Sequence, residues 1–290
     1  MCYEFILTHK FLFRKLVGEK IMQEQNKYVD FISDRDFLKA VKEVYEVYKS
    51  KANGFDIKKF YKNTIDPFRI YMDTIFQNIS LDDYLKNEMN RKIEKSISNE
   101  IGSFQEELLG AIPGFKRYKV GDSEAEGVDI VSDDKLIWAE VKNKHNTVKG
   151  EDAKNIYRKL QNIAEKYPSS TVYYVRIIDT KSRNEQWQIR KHNLNHPRVR
   201  IISGDRFYEL LTGDSLAFKK LLDAIPVALK DYVDSLDEQD RIANGSSMGL
   251  FSTIYTESIK NGITPLQQIV NDNFSSYLGF GKDESSKEDE

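Results

Sequence analysis

The sequence lacks the residues on which several protein classes depend. Its single cysteine, Cys2, excludes an internal disulfide and a zinc site built from several cysteines. The four histidines are scattered along the chain, so a histidine-based zinc cluster is not expected either. A chain with one cysteine fits the reducing environment of the cytoplasm, which we take as the expected location.

Long apolar runs and a large net charge are also missing. Charged residues interrupt the apolar pieces of residues 1–17 well below the roughly 18 apolar residues that a membrane span needs, so no membrane partner is expected. The 44 basic residues nearly balance 46 acidic ones and leave a formal net charge of −2. Any nucleic-acid surface must therefore come from local clustering of charge. With 40% hydrophobic residues, the chain of 290 residues is long enough to bury a core.

Apolar residues recur at helical spacing in three N-terminal segments. The pattern predicts a helix within residues 31–48, and a second that begins at Asp66-Pro67, because proline at the first helical position loses no hydrogen bond. A third, long helix is predicted from Ser80 to Gly110, with Ser80 and Asp83 as a capping box. Its apolar stripe is Leu85, Met89, Ile93, Ile97, Ile101, Phe104 and Leu108.

After Gly110 the period changes to that of strands. Two short strands, 128–131 and 136–141, are separated by a polar turn and predict a hairpin. The predicted elements that follow are a helix over 150–166, a buried strand over 171–178, a strand over 199–202, a short helix capped by Asp205 that ends at Gly213, and a helix over 214–235. This order predicts an α/β fold in which a mixed sheet is covered by helices on both faces, behind a helical N-terminal region.

The same changes of pattern divide the chain into regions. Met22 begins the better-patterned sequence, so residues 1–21 are predicted to be a non-core N-terminal extension, with a short additional helix as the alternative. We expect a helical N-terminal region (22–100), a central core (101–235), a C-terminal helical region (236–281) and a charged, disordered tail (282–290).

The predicted hairpin brings charged side chains together. If its strands pair about the turn at Asp134-Lys135, Asp129 lies opposite Glu140, and Lys142 shares the face of Glu140 because strand side chains alternate. Paired carboxylates repel each other unless a cation lies between them, and oxygen ligands favour magnesium. A neighbouring lysine can orient or deprotonate water. The alternative is an ordinary hairpin with solvated charges, but apolar residues share that face and fill the other: Trp138 and Val131, then Ile137, Ala139 and Val141.

The residues around this hairpin resemble a family of type II restriction endonucleases that cut GGNCC or GGWCC sites, within the PD-(D/E)XK nuclease superfamily. The similarity covers about residues 28–235. Its most specific part is the run Glu140-Val141-Lys142-Asn143-Lys144-His145-Asn146-Thr147. The other matching stretches are Phe31–Asp34 with Asp36-Phe37, Ile101–Gln105 with Leu109-Gly110, Gly127–Ile130, and Ile202–Asp205 with Phe207-Tyr208 and Thr212-Gly213.

This resemblance implies a restriction-endonuclease-like fold and an enzyme that cleaves double-stranded DNA. It implies that Asp129 and Glu140 bind Mg²⁺ and that Lys142 is the catalytic lysine, although Val128 replaces the usual preceding proline. The superfamily often adds a helix carboxylate, for which Glu106 is the candidate and Glu107 the competitor. A pseudo-palindromic target implies a homodimer, and a methyltransferase would protect the host. The alternatives are a repair or recombination nuclease and an inactive DNA-binding protein.

Basic residues cluster between Lys181 and Arg200, where six Lys/Arg and two His face one acid. We expect this segment to contact DNA, with Arg183 and Arg190 as candidate base readers and Lys191 as a further contact. The alternative is a solvated loop between two strands. Residues 143–147 continue from the catalytic strand and are expected to position the scissile phosphate, although Asn146 or Thr147 could instead cap the next helix.

Overall fold

A computed structural model describes residues 26–52, 66–119, 121–148, 150–242, 251–264, 267–268, 270–271 and 274–280. The predicted extension (1–21) and the predicted acidic tail (282–290) lie outside these ranges. No helix in the described ranges has the length and apolar character to cross a membrane.

Seven α-helices and six strands make up the described chain. The helices are α1 (Asp34–Ala52), α2 (Pro67–Phe76), α3 (Leu81–Gly110), α4 (Glu151–Lys166), α5 (Gly204–Thr212), α6 (Ala217–Asp234) and α7 (Phe251–Lys260). The strands are β1 (Phe115–Arg117), β2 (Ile130–Ser132), β3 (Ile137–Lys144), β4 (Thr171–Ile178), β5 (Asn184–Ile189) and β6 (Leu194–Ser203).

All six strands form one mixed sheet in the order β1-β2-β3-β4-β6-β5. The pairs β1–β2, β2–β3 and β5–β6 are antiparallel, whereas β3, β4 and β6 run parallel to one another. The parallel strands are joined by α4 and by the β5 hairpin, as expected because parallel neighbours need a crossover connection. The carboxyl ends of β3 and β4 therefore meet at one end of the sheet.

Helices cover both faces of the sheet, which confirms the predicted α/β class. One face packs on α1, α3, α5, α6 and residues 274–280, through side chains such as Ala139, Val141, Tyr173 and Val175. The other face packs mainly on α4, where Trp138, Tyr174 and Val199 meet Tyr157 and Leu160. The core on the first face includes residues from all three predicted regions between 22 and 281, and α3 crosses the predicted boundary at residue 100.

Most predicted elements are confirmed. Ser80 caps α3, where its hydroxyl accepts from the Asp83 N–H (3.1 Å) and donates to the Asp83 carboxylate (2.7 Å), and Asp66 caps α2. The prediction for Asp205 is wrong: Ser203 is the N-cap of α5, and Asp205 lies in the first turn, where it accepts from the Ser182 hydroxyl at 2.6 Å. The buried Asp205 carboxylate also accepts from the hydroxyl of Ser203 and from the Leu278 N–H, the latter at 3.2 Å, so it joins the start of α5 to neighbouring segments.

Gly110 allows the end of α3 to approach β1 closely. A Cβ at this position would lie 2.6 Å from the Arg117 Cβ and 2.7 Å from the Arg117 backbone nitrogen, so a side chain cannot be added without a shift. Because Gly110 has no side chain, Arg117 can lie beside the last turns of α3.

Candidate active site

The hairpin register places Asp129 opposite Glu140. Ile130 pairs with Ala139 and Val131 with Trp138, which is the predicted register. Asp129 directly precedes β2, and its backbone N–H donates to the Ala139 carbonyl at 3.0 Å. Its carboxylate Oδ2 accepts from the Val141 N–H at 2.7 Å, so Asp129 is held against β3 by both its backbone and its side chain.

Glu140 and Lys142 lie on the face of β3 that packs toward α4. The Glu140 side chain is only 8% exposed, and the Lys142 ammonium donates to its Oε1 at 2.7 Å. The same ammonium lies 3.9 Å from Oδ2 of Asp129. The structure thus brings the three predicted catalytic side chains together at the rim of a core.

A second lysine, Lys159 of α4, was missed in the sequence. Its ammonium donates to the Oε2 of Glu140 and to the Gly127 carbonyl, the latter at 2.6 Å. Each oxygen of Glu140 therefore has its own lysine. No local signal in the sequence marks Lys159, because it is one of several lysines on a half-exposed helix and reaches Glu140 only through the packing of α4 on the sheet.

Burial and neighbouring charges shift the pKa values of two groups in this cluster, Asp129 and Lys142. Burial, and after it the charge of Glu140, raise the pKa of Asp129 to about 6, against the opposing effects of Lys142 and the Val141 N–H. Burial opposes the charged form of Lys142, but Glu140 and Asp129 outweigh it and raise the Lys142 pKa. The cluster therefore holds a protonated lysine beside a carboxyl group that would be stabilised by an additional cation.

The two helix carboxylates considered from the sequence, Glu106 and Glu107, both bind Arg117. The charge of Glu106 contributes to raising the pKa of both Asp129 and Lys142, whereas Glu107 is not among the groups that do so. Arg117 binds both, donating to Glu106 Oε2 from Nε (3.1 Å) and Nη2 (2.9 Å) and to Glu107 from Nη1. The guanidinium thereby fixes Glu106 at the edge of the site.

The donors present fit a magnesium ion. Mg²⁺ binds proteins through one or two carboxylates and keeps several waters, and Asp129 and Glu140 supply carboxylates of that kind. Over the described ranges, three or more His, Cys, Asp or Glu side chains nowhere gather as a complete metal site. The two carboxylates are hard oxygen donors, which suit Mg²⁺ better than softer ions that prefer nitrogen or sulfur ligands.

Residues 143–147 continue from the catalytic strand into an exposed turn. The His145 N–H donates to the Ile178 carbonyl of β4 at 2.9 Å, and the Thr147 hydroxyl donates to the Lys144 carbonyl at 2.8 Å. Lys144, His145, Asn146 and Thr147 are exposed and Asn143 is half-buried. Gly150 is the N-cap of α4, so neither Asn146 nor Thr147 caps that helix.

The basic segment 181–200 is not one surface. Asn184–Ile189 and Leu194–Ser203 form the β5–β6 hairpin, so the predicted loop contains an edge strand that the sequence did not predict. Arg183 lies before β5 with a side chain only 16% exposed, and its guanidinium binds Asp179 at 2.8 Å. Arg190 and Lys191 are exposed at the hairpin turn.

The hairpin turn lies far from the catalytic cluster. Glu140 shares a transverse row of the sheet with Tyr174, Ile201 and Glu185, whereas the turn follows Ile189, which pairs with Leu194. Leu194 and Ile201 are separated by about 23 Å along β6, at about 3.3 Å per residue. The structure therefore does not bring Arg190 and Lys191 together with Asp129, Glu140 and Lys142.

Known proteins resemble this chain over most of its length. Residues 29–234 match the sequence profile of the Eco47II restriction endonuclease family. The type II restriction enzyme Sau96I of Staphylococcus aureus is 42% identical over 267 residues, which are 88% of this chain and 99% of that protein. The type II restriction enzyme Eco47II of Escherichia coli is 30% identical over 213 residues, 70% of this chain and 87% of that protein. The chain is thus a site-specific DNA endonuclease of type II and belongs to the Eco47II restriction endonuclease family.

Proposed function

We propose that the enzyme hydrolyses DNA in a magnesium-dependent reaction at Asp129, Glu140 and Lys142, within a short GGNCC-like site. The observation that carries this proposal is the convergence of two carboxylates and a lysine on one hairpin in a member of a restriction endonuclease family. Residues 143–147, which leave the same strand, are proposed to contact the strand that is cut.

Asp129 and Glu140 are the proposed metal ligands, with Glu106 as an outer carboxylate. A magnesium ion bound there would supply positive charge beside the phosphate and make a bound water more acidic. Glu106 is turned toward Arg117, so its proposed role is to adjust the charge of the site from a distance. Binding the ion would also offset the burial and the charge of Glu140, which together raise the pKa of Asp129.

Lys142 is proposed to act as a hydrogen-bond donor. Since its carboxylate neighbours raise its pKa, the amine is protonated at neutral pH and cannot serve as the base in this state. It can orient the attacking water and offset charge that develops on the phosphate. In the hydrolysis, the water oxygen bonds to phosphorus and releases a proton to solvent, one ester bond from phosphorus breaks, and the leaving oxygen takes up a proton.

Digestion of plasmid DNA tests the reaction and its specificity together. The purified enzyme should give discrete fragments with Mg²⁺ and none with a chelator, and sequencing of the fragment ends should map one short GGNCC-like site. Fragments with random ends would contradict site-specific cleavage, and equal cleavage in the chelator would contradict the metal. Methylation of the mapped site by a matching methyltransferase, the proposed functional partner, should block cleavage.

A symmetric target is proposed to be cut by a homodimer in which each active site cuts one strand. Light scattering on the complex with a cleavage-site duplex should give the mass of two chains and one duplex. A monomer that remained monomeric on DNA and still broke both strands would contradict this assembly.

A further inference from the structure

Arg176 of β4 is the side chain that lies next to the catalytic lysine across the sheet. In the parallel β3–β4 pair, Lys142 pairs with Arg176 and Glu140 with Tyr174. Paired residues on neighbouring strands project from the same face, with their backbones about 4.8 Å apart. The guanidinium group of Arg176 therefore begins on the face that carries the catalytic carboxylates.

The ion pair that Arg176 forms is weak. Its Nη1 lies 3.6 Å from Oδ1 of Asp179, beyond the usual range of a hydrogen bond. Asp179 is bound more closely by Arg183, through Nε and Nη2 at 2.8 Å each, and its Oδ1 also accepts from the Thr180 N–H at 2.7 Å. Asp179 thus faces two guanidinium groups, and Arg183 holds it more closely while also binding Oε1 of Glu185 at 3.1 Å. Arg176 is therefore the more loosely held of the two arginines.

One donor of Arg176 is also without an acceptor. Among the described residues, its buried Nε has no hydrogen-bond partner. The side chain as a whole is 21% exposed, and its guanidinium lies 5.2 Å from the centre of the Tyr174 ring. The side chain is therefore oriented by the Tyr174 ring and partly exposed.

We propose that Arg176 binds a non-bridging oxygen of the scissile phosphate, together with Lys142. This inference rests on the proposed function of Asp129, Glu140 and Lys142. An arginine fork suits a phosphate because two parallel N–H groups match two oxygens, and the Arg176 side chain is partly exposed on the face that carries Lys142. Lys142 and Arg176 would thus approach one phosphate from adjacent strands.

A thermodynamic cycle between Arg176 and one phosphate tests the assignment. The probe is a duplex centred on the mapped cleavage site, either with normal phosphates or with a neutral methylphosphonate at the scissile position, titrated in EDTA so that no cleavage occurs. Arg176→Gln should weaken binding to the normal duplex by about tenfold. Its effect on the methylphosphonate duplex should be less than about twofold, and the salt dependence on the normal duplex should fall by about one unit of slope.

Arg198→Gln is the control, because Arg198 is an arginine of the same sheet whose guanidinium donates to the carbonyls of Tyr167 and Ser170 and shares no acid with Arg176. Any loss of binding in this variant should be equal on the two duplexes. Arg176→Lys, which keeps the charge and loses the fork, should show an intermediate loss on the normal duplex, and it provides the readout if Arg176→Gln does not fold.

Equal losses on the two duplexes for the Arg176 variants would overturn the proposal and leave Arg176 as a partner of Asp179 alone. This failure is distinct from failure of the proposed function. If Glu140→Ala abolishes cleavage while the cycle shows no coupling, only the role of Arg176 is wrong. If Glu140→Ala cleaves normally, the catalytic assignment itself is wrong.

Discussion

The two ends of the central sheet carry positive charge in different ways. At the catalytic end, where β3 and β4 finish, Lys142 and Lys159 bind Glu140, and Arg183 binds Asp179. At the hairpin end, where β5 turns into β6, the basic residues Arg190, Lys191 and His192 are consecutive and exposed. Charges at the first end are held in fixed geometry by buried acids, whereas those at the second are solvated.

The difference indicates separate contributions to the reaction. Fixed groups beside buried carboxylates can stabilise a transition state because their orientation needs no reorganisation when charge develops. Solvated lysines and arginines can only attract phosphates in a salt-dependent way. Substitutions at the catalytic end should therefore change the cleavage rate of the enzyme–DNA complex. Substitutions at the hairpin end should change the affinity for DNA alone.

The largest effect is expected from Glu140→Ala, which removes a proposed metal ligand. Cleavage should fall by about a thousandfold or more, since a catalytic metal contributes several kcal/mol. Specific binding in EDTA should survive, because a negative charge beside the phosphate is also removed. The matched control is Glu185→Ala in the same transverse row, an exposed carboxylate that should leave cleavage unchanged. Equal losses in the two variants would remove the distinction between the active site and the edge of the sheet.

The next largest loss of cleavage is expected from replacing the lysines that bind Glu140. The two lysines, Lys142 and Lys159, should differ in the size of this loss. Lys142→Ala should slow single-turnover cleavage by about a hundredfold to a thousandfold, the usual cost of losing a donor aimed at developing charge. Lys159→Ala should slow it by about tenfold, since Lys159 contacts Glu140 and the Gly127 carbonyl but not Asp129. If both variants lose activity equally in quench-flow measurements, α4 supplies a second cation to the reaction.

Asp129→Asn should abolish cleavage and at the same time stabilise the metal-free protein. Burial and Glu140 raise the pKa of Asp129 from 3.8 to about 6, so the folded state binds a proton more tightly than the unfolded state. The resulting penalty is absent below about pH 4, grows between pH 4 and 6, and remains above it. Near pH 7 the variant should gain on the order of 2 kcal/mol in free energy of unfolding.

Urea denaturation of both proteins in EDTA at pH 4 and pH 7 measures this difference. The exposed Asp30, changed to Asn, is a control for net charge and should show no such gain. A variant that is less stable than wild type at pH 7 would show that Asp129 is a structural residue of the hairpin.

The smallest effect is expected from Arg190→Ala combined with Lys191→Ala. Binding should weaken, and its salt dependence should flatten by about one unit of slope for each phosphate that these side chains no longer neutralise. The single-turnover rate at saturating enzyme should stay at the wild-type value, because both side chains lie at the far end of the sheet. An unchanged salt slope would mean that DNA does not reach the hairpin turn.

Local patterns predicted much of the fold and the centre of the site. The register that pairs Asp129 with Glu140 followed from strand alternation around a polar turn. Two helix starts followed from local signals, Ser80 as a cap and Pro67 at the first helical position. The predictions are strong where the interacting groups are neighbours in sequence or are separated by one turn.

The remaining features depend on packing between distant segments. Strand β5 was missed because its polar residues, such as Asn184 and Gln188, read as a loop, although they are acceptable on an exposed edge strand. Lys159 is 19 residues from Glu140, and only the position of α4 on the sheet joins them. Arg183 is a further example. Counting the charged residues of segment 181–200 could not show that its side chain is mostly buried against Asp179.

The two glycines of α3 would respond in opposite ways to an engineer who stabilises helices by replacing glycine with alanine. A Cβ on Gly102 has no heavy atom within 4 Å, so Gly102→Ala should raise stability by about 0.5 to 1 kcal/mol, as expected for a helix interior. A Cβ on Gly110 would collide with Arg117, the residue that holds Glu106. A thermostable variant of this enzyme can therefore be sought at Gly102, whereas Gly110, the last residue of α3, is constrained by Arg117.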